Sequence, residues 1–259
     1  MIRVVARRVL VAVALPIILV GIWWSVTQSS TDVFWPPLSK ILSSFAPTWF
    51  EGRLTSDVVP SLVRLAVGYG IAVIGGIAAG TAIGSFRMLR EILEPILEFL
   101  RAVPPPVLIP VIMLFAGIGN TMKIAVIAFG CAWPVLLNTV EGVRSVDEVL
   151  RDTGRIYRLR RRTGLAKIVL PAAAPQIVAG ARQALSIGII LMVISEMFAA
   201  TNGLGFTTIQ FQRTFAVPQM WTGILLLGII GVVLAFLFKL VERRVLAWYL
   251  GIRQTQRKG

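Results

Sequence analysis

The chain contains no histidine and only one cysteine among its 259 residues. Without histidine, neither a Ser-His nor a Cys-His nucleophile pair can be built, and a metal site made of histidine and cysteine is excluded as well. The lone Cys131 cannot form an internal disulfide, so we interpret it as a small packing residue. The sequence therefore predicts a chain that is not an enzyme and that holds no metal and no other cofactor of its own.

Charge is also scarce, because Asp, Glu, Lys and Arg together make up only 15% of the chain, whereas hydrophobic residues make up 56%. Windows of about 20 apolar residues are long enough to cross a hydrocarbon core of ~30 Å. Such windows occur at 9–27, 59–84, 92–116, 122–142, 172–199 and 221–241. We therefore predict an all-α integral membrane protein with six transmembrane helices. The first window resembles a signal peptide, but it is long and lacks a small-residue cleavage site.

The basic residues are distributed unevenly over the predicted loops. If the N-terminus is cytoplasmic, 19 of the 26 lie on the cytoplasmic side. The outside holds Lys40, Arg53, Lys123 and Arg213, and three more lie in or near spans, namely Arg64, Arg101 and Arg182. This asymmetry predicts that both termini are cytoplasmic. The net charge of +14 thus indicates a multi-pass topology in the cell (inner) membrane rather than nucleic-acid binding.

The apolar pattern divides the chain into four regions. Residues 1–28 form a cytoplasmic tail and the first span, and residues 29–58 form a periplasmic segment with a short interfacial helix. Residues 59–246 form a core of spans two to six, and residues 247–259 form a cytoplasmic tail. Trp23, Trp24, Trp35 and Trp49 cluster near one membrane face, as expected of an aromatic belt.

Small and helix-breaking residues mark two of the core spans. Gly76, Gly80 and Gly84 recur every four residues, which predicts close packing of the second span against another helix, with a gating hinge as the alternative. Pro104 to Pro106 and Pro110 interrupt the third helix, either to line a pathway or only to produce a kink for packing. Polar, bulky or helix-breaking residues in or near spans are candidates for the pathway or its gate: Pro105, Met113, Asn138, Met192, Glu196 and Asn202.

The most informative segment is the basic loop 143–171 between spans four and five. We predict a first helix over 145–157, with Ser145 as its cap and a favourable pair between Asp147 and Arg151. A second short helix would run from about residue 162 to 169 and end at Pro171. Two short arginine-rich helices joined to two spans would transmit movement from a soluble protein partner, although attraction to anionic lipid headgroups is the alternative.

The spacing within this loop resembles a known motif. Asp152-Thr153-Gly154, three residues, Arg158, nine residues, and then Ile168-x-Leu170-Pro171 are similar to the Glu-Ala-Ala-x3-Gly-x9-Ile-x-Leu-Pro loop of ABC importer permeases. Further stretches resemble the nitrate, sulfonate and taurine branch of that family, including Phe34-Trp35-Pro36-Pro37, Ser195-Glu196-Met197 and Gly203-Leu204-Gly205. The chain departs from the motif at Arg158, where the family has glycine. A side chain there costs about 1 kcal/mol if the turn keeps its left-handed residue, so we expect either a remade turn or a compensating contact.

This resemblance implies the type I importer bundle of five core spans plus an additional first helix. It implies a second copy of the permease, two copies of an ATP-binding subunit that hold ATP and Mg²⁺, and a periplasmic or lipid-anchored solute-binding protein. The implied mechanism is import by alternating access, for a solute such as a sulfonate, nitrate or taurine. The docking positions are Asp152, Thr153, Gly154, Arg158, Ile168, Leu170 and Pro171, to which we add Tyr157 on the same helix.

Two other observations bear on the energy source. No phosphate-binding loop of the Gly-x4-Gly-Lys-Ser/Thr type occurs, so ATP would have to be bound by another chain. An ion-gradient-driven secondary transporter or channel is the alternative, but such proteins usually carry midplane carboxylates and an inverted repeat, and the sequence displays neither. A membrane-embedded lipid enzyme is disfavoured by the missing histidine.

Overall fold

The computed structural model describes residues 2–198, 200–249 and 251, and side chains among these from residue 14 onward. Every regular element in this part of the chain is helical. The helices are α1 (Ile2–Thr27), α2 (Leu38–Phe50), α3 (Val59–Ser85), α4 (Arg87–Ala102), α5 (Ile109–Ala116), α6 (Asn120–Arg144), α7 (Glu148–Ile156), α8 (Arg161–Gly164), α9 (Leu170–Met197), α10 (Leu204–Arg213) and α11 (Val217–Val245). The basic side chains predicted at both extreme ends, such as Arg7 and Arg257, lie outside the described residues.

Four helical segments within the described residues are long and apolar enough to cross a membrane. They are Leu54–Ser85, Asn120–Arg144, Arg161–Met197 and Val217–Val245. A fifth span exists only if Arg87–Ala102 and Pro105–Ala116 are counted together, and these two helices are bent by 86°. The part of α1 with described side chains, Ala14–Thr27, is apolar but shorter. The all-helical prediction is confirmed, while the count of six spans is not established by these helices.

The third predicted span, 92–116, is interrupted at its prolines, as the sequence predicted. Pro104 is extended, and a 3-10 turn over Pro105–Leu108 leads into α5. That turn and α5 hold 4 and 8 residues, or roughly 18 Å at 1.5 Å per residue, which is well short of a bilayer core. The prolines break the helix because they lack the amide donor and restrict the residue before them.

The centre of the bundle is α6, which packs against α3 on one side and α9 on the other. A Cβ atom added to Gly80 would lie 2.7 Å from Cβ of Thr139. Additions at Gly76 and Gly84 would meet side chains of α6 at 2.8 and 2.9 Å. Since no larger residue fits there, these glycines permit the backbones of α3 and α6 to approach each other closely.

The main core lies toward the end of the bundle formed by the beginnings of α3 and α6 and the end of α9. Trp49, which the sequence placed in an aromatic belt, is instead fully buried in this core. Its Nε1–H donates to Oγ1 of Thr222 at 2.9 Å, which joins α2 to α11. A smaller cluster of Val143, Ala173 and Ile177 fills the opposite end.

Candidate functional site

The loop between α6 and α9 differs from its predicted form in three respects. Asp147, rather than Ser145, caps α7, because its carboxylate accepts the amide of Val149 at 2.9 Å. The predicted side-chain pair between Asp147 and Arg151 is absent from the described contacts, and Arg151 donates instead to the carbonyl of Val143. The carboxylate of Asp147 therefore caps α7 instead of pairing with Arg151.

The second short helix of the loop does not end at Pro171. The segment Arg161–Met197 is one continuous helical span, in which α8 passes through a π-helical turn at Leu165–Val169 into α9. Pro171 is the second residue of α9 and closely follows the π-helical turn, so the helix continues past this proline rather than ending at it. A continuous helix therefore joins α8 to α9.

The turn after α7 keeps its left-handed residue despite the side chain of Arg158. Its φ is +49°. The amide of Leu159 donates to the carbonyl of Gly154 at 3.0 Å, and the amide of Arg158 donates to Arg155 at 2.9 Å. These two bonds form the Schellman arrangement that usually has glycine in this position. Neither expected outcome is observed, because the turn is retained and the exposed side chain of Arg158 forms no hydrogen bond or ion pair with a described residue.

Gly154 lies where α7 faces the second arm of the loop. It is buried, and a Cβ atom added to it would lie 3.0 Å from Cδ1 of Ile168. Gly154 and Ile168 both line a cleft of about 210 Å³ between α7 and α8. Asp152 pairs with Arg155 at 2.8 Å, Oγ1 of Thr153 donates to Val149 within α7, and Leu170 and Pro171 are half-buried.

The outer face of α7 exposes large apolar side chains. Val149, Ile156 and Tyr157 are 71%, 79% and 76% exposed. Ile156 and Tyr157 are followed by Leu159, which is 42% exposed. Such a patch at the end of the bundle, next to the basic residues that follow α7, is typical of a surface that binds another protein.

A buried ionic cluster occupies the opposite end of the bundle. We call it the Arg64–Glu196 cluster, and it consists of Ser61, Arg64, Asn120, Glu196 and Asn202. Nη1 of Arg64 lies 2.7 Å from Oε1 of Glu196, with side-chain exposures of 3% and 0%. The Nε–H of Arg64 donates to Oδ1 of Asn120 at 2.8 Å, and its Nη2 donates to Oδ1 of Asn202 at 2.5 Å. One guanidinium thereby joins the beginnings of α3 and α6 to the segment after α9.

The carboxylate of Glu196 is saturated with donors. The hydroxyl of Ser61 donates to it at 2.7 Å, and the amide of Gly205 donates to Oε2 at 3.0 Å. Gly203 has φ +122°, and a Cβ atom there would lie 2.5 Å from Cδ of Glu196. Only glycine fits this position. The backbone of Gly203-Leu204-Gly205 therefore packs directly against the buried carboxylate.

Of the six pathway candidates, the structure brings together only Glu196 and Asn202. Met192 is fully buried in the core, and Met113 packs against the same core from α5. Pro105 contacts α6 near Gly130. Asn138, in α6, donates to the carbonyl of Pro134 at 2.8 Å and to Gln183 of α9 at 3.3 Å. Their assignment to a pathway or gate stays a prediction.

Sequence reasoning missed the role of Arg64, the residue that binds the cluster together. It was noted only as a basic residue in or near a span. The available signal was an arginine inside an apolar segment, since such residues normally have a specific buried partner. Lys123 is also nearly fully buried, with 3% exposure, beside this cluster in α6.

Comparison with known proteins places these features in context. Residues 71–247 match the family described as binding-protein-dependent transport system inner membrane component. The chain is 32% identical over 251 residues to the taurine transport system permease protein of Escherichia coli, covering 94% of this chain and 91% of that protein. It is 28% identical over 251 residues to a nitrate import permease protein of Leptolyngbya laminosa, covering 94% and 89%.

The fold has counterparts among solved structures. A chain of a methionine ABC transporter in an inward-facing conformation matches with a TM-score of 0.65 and 20% identity. The match covers 74% of this chain and 96% of that one. The family match and the taurine and nitrate relatives support the importer interpretation and give no support to an ion-gradient-driven carrier.

Proposed function

Since this chain belongs to the family of binding-protein-dependent inner-membrane permeases of ABC importers, we propose that it forms half of a translocation pathway as a type I bundle of six spans. Both termini would be cytoplasmic, and a second copy would complete the pathway. The permease has no catalytic role, and ATP and Mg²⁺ would be bound by a separate subunit present in two copies.

The observation that carries this proposal is the exposed apolar face of α7. Val149, Ile156 and Tyr157 are each more than 70% exposed on a helix outside the bundle. Exposure of that extent in water is unfavourable unless a partner covers it. Docking of the ATP-binding subunit on α7 would bury this face, and the surrounding arginines would pair with carboxylates at the rim.

Alternating access follows from how the loop is joined to the bundle. Binding of ATP would draw the two ATP-binding subunits together and displace both loops. Because α8 continues into α9 without a break, α9 would move with the loop, and α6 would follow through its packing against α9. The Arg64–Glu196 cluster would hold the far ends of α3, α6 and α9 together as one unit during this movement.

The solute would be a small anion or zwitterion such as a sulfonate, taurine or nitrate, delivered by a periplasmic or lipid-anchored binding protein. Two relatives described as permeases for taurine and nitrate support this class. Pro105, Met113, Asn138 and Met192 remain proposed pathway positions. A thermal-shift screen of the cognate binding protein against these solutes would identify the one that is carried.

We test docking with Tyr157→Ala, which removes a largely exposed aromatic from α7. Buried tyrosines at protein interfaces commonly contribute about 2 kcal/mol or more, or roughly 30-fold in affinity. We expect the ATP-binding subunit to be lost during purification and ATP-driven uptake into proteoliposomes to fall by at least tenfold. The double variant Asp152→Ala/Arg158→Ala is expected to release the same subunit.

The matched control is Phe50→Ala, because Phe50 is 65% exposed at the other end of the bundle. This variant should retain the ATP-binding subunit and should keep ATP-driven solute uptake at the original level. Uptake that persists without any ATP-hydrolysing subunit, or equal loss in both variants, contradicts the proposal.

A further inference from the structure

A second cleft, of about 330 Å³, lies where the end of α3 meets α8. Its volume is in the range of small-molecule sites. Ala78 and Ala82 of α3 and the ring of Phe86 give it apolar walls. The only charged residues that line it in the described part of the chain are Arg161 and Arg162. The cleft therefore combines an apolar groove with a purely positive mouth.

The two arginines are available for an anionic ligand. Both are exposed, and neither forms an ion pair with a described residue. The guanidinium of Arg161 lies over the ring of Phe86, with Cζ 4.5 Å from the ring centroid. This stacking holds the positive charge at the mouth and leaves the edge of the guanidinium free to donate hydrogen bonds.

An unsatisfied hydroxyl lies deeper in the same cleft. Thr81 lines it and is 7% exposed. Its Oγ1 is buried and has no hydrogen-bond partner among the described residues. A threonine in a helix normally donates to a carbonyl of the preceding turn, so an unpartnered buried hydroxyl points to an acceptor supplied by a ligand.

We propose that this cleft binds an anionic phospholipid of the cytoplasmic leaflet. The phosphate would lie between Arg161 and Arg162, the hydroxyl of Thr81 would donate to an ester oxygen, and an acyl chain would follow Ala78 and Ala82. Thr81 precedes Ser85 by one helical turn, or about 6 Å along α3. This depth matches the interfacial layer of one leaflet, which is about 5–7 Å thick. The inference rests on the proposed cytoplasmic position of the loop.

Such a lipid would connect the end of α3 to α8, which are otherwise joined here mainly by the contact between Arg161 and Phe86. The bound headgroup would then belong to the connection through which movement of the loop reaches α9. The cleft is separate from the exposed apolar face of α7, so a lipid there and the ATP-binding subunit on α7 would be bound at the same time.

The test is native mass spectrometry of the complete permease and ATP-binding complex in detergent, titrated with phosphatidylglycerol and, separately, with phosphatidylcholine. We expect Arg161→Gln/Arg162→Gln to lower the affinity for phosphatidylglycerol about 30-fold, or about fivefold for each arginine. Thr81→Val preserves volume and removes the hydroxyl. It should lower phosphatidylglycerol affinity about fivefold without lowering the thermal midpoint of the lipid-free complex.

The control is Arg243→Gln/Arg244→Gln, an exposed arginine pair at the end of α11, which should leave the affinity within twofold of the original. Equal loss in the control, or equal binding of phosphatidylcholine, would overturn the proposal.

Full displacement of the lipid by inorganic phosphate would show a simple anion site. Loss of the ATP-binding subunit from the Arg161/Arg162 variant, with lipid binding intact, would assign the cleft to the protein partner. ATP-driven uptake is measured in parallel, so a failed lipid site is distinguishable from a failed importer assignment.

Discussion

At the scale of single residues, the Arg64–Glu196 pair is sensitive to the loss of either partner, because both charges are withdrawn from water. Desolvation of an ion pair offsets much of its attraction, so the pair by itself adds little net stability. Its hydrogen bonds to Ser61, Asn120 and Asn202 are what make the burial tolerable. Removal of one charge is therefore far more damaging than replacement of both.

We expect Glu196→Gln to destabilise the bundle by about 3–5 kcal/mol, because it leaves the guanidinium of Arg64 buried and uncompensated. The measurement is thermal unfolding of the purified complex in detergent. The double variant Arg64→Met/Glu196→Leu should recover part of the loss, since neither member of the pair is then left buried without its partner. Glu91→Gln is the control, because Glu91 pairs with Arg87 on an exposed face of α4, and it should unfold like the original protein. A Glu196→Gln variant that also unfolds like the original would refute this account.

The sequence singled out Glu196 and Asn202 but could not assemble the cluster around them. Arg64, Asn120 and Glu196 lie on three different helices, and no periodicity in one helix reports which residues of another it will face. Gly203 was recognised only through a family resemblance. Its physical role depends on the carboxylate of Glu196, which leaves no room for a Cβ atom at Gly203, and only the folded chain brings these two residues together.

At the scale of elements, the long apolar helices were the most predictable feature. The path of the chain after the prolines was the least predictable. The spans over α3, α6, α9 and α11 follow directly from apolar windows, because length and hydropathy alone determine them. The 86° bend between α4 and the segment Pro105–Ala116 was not foreseen. Proline removes one donor and fixes φ, which predicts a break but not the direction of the chain beyond it. Cap identity was also missed, since Ser145 and Asp147 are both good caps and only local geometry selects between them.

The turn after α7 yields a prediction at this scale. Arg158→Gly should relieve about 1 kcal/mol of left-handed strain at φ +49°. We expect about fivefold slower hydrogen exchange of the amides of α7, measured by mass spectrometry on the intact complex. Arg155→Gly is the matched control with the opposite sign, because it places glycine inside α7 and removes the ion pair with Asp152. If Arg158→Gly accelerates exchange as Arg155→Gly does, the arginine contributes a contact that offsets its strain.

At the scale of the whole molecule, two surfaces at one end of the bundle and a closed cluster at the other imply a division of tasks. The α7–α8 end is open, basic and partly apolar, as a surface that receives force from a partner should be. The Arg64–Glu196 cluster at the other end is buried and held by several hydrogen bonds, so it should resist deformation. A displacement applied at the first end would therefore be transmitted as rotation of the bundle about the second, rather than as local loosening of helices.

This arrangement requires the two ends to lie on opposite sides of the membrane, and the single cysteine makes that testable. Cys131 is buried and donates to the carbonyl of Ala184, so Cys131→Ala provides a cysteine-free background with one small cavity. Into it we introduce Ser39→Cys on α2 or Ala166→Cys beside α8, both at exposed positions. A membrane-impermeant maleimide should label Ser39→Cys in intact cells and Ala166→Cys only after the cells are opened. Labelling of Ala166→Cys from outside would place the basic loop away from any cytoplasmic ATP-binding subunit. The loop could then not transmit movement from that subunit to α9.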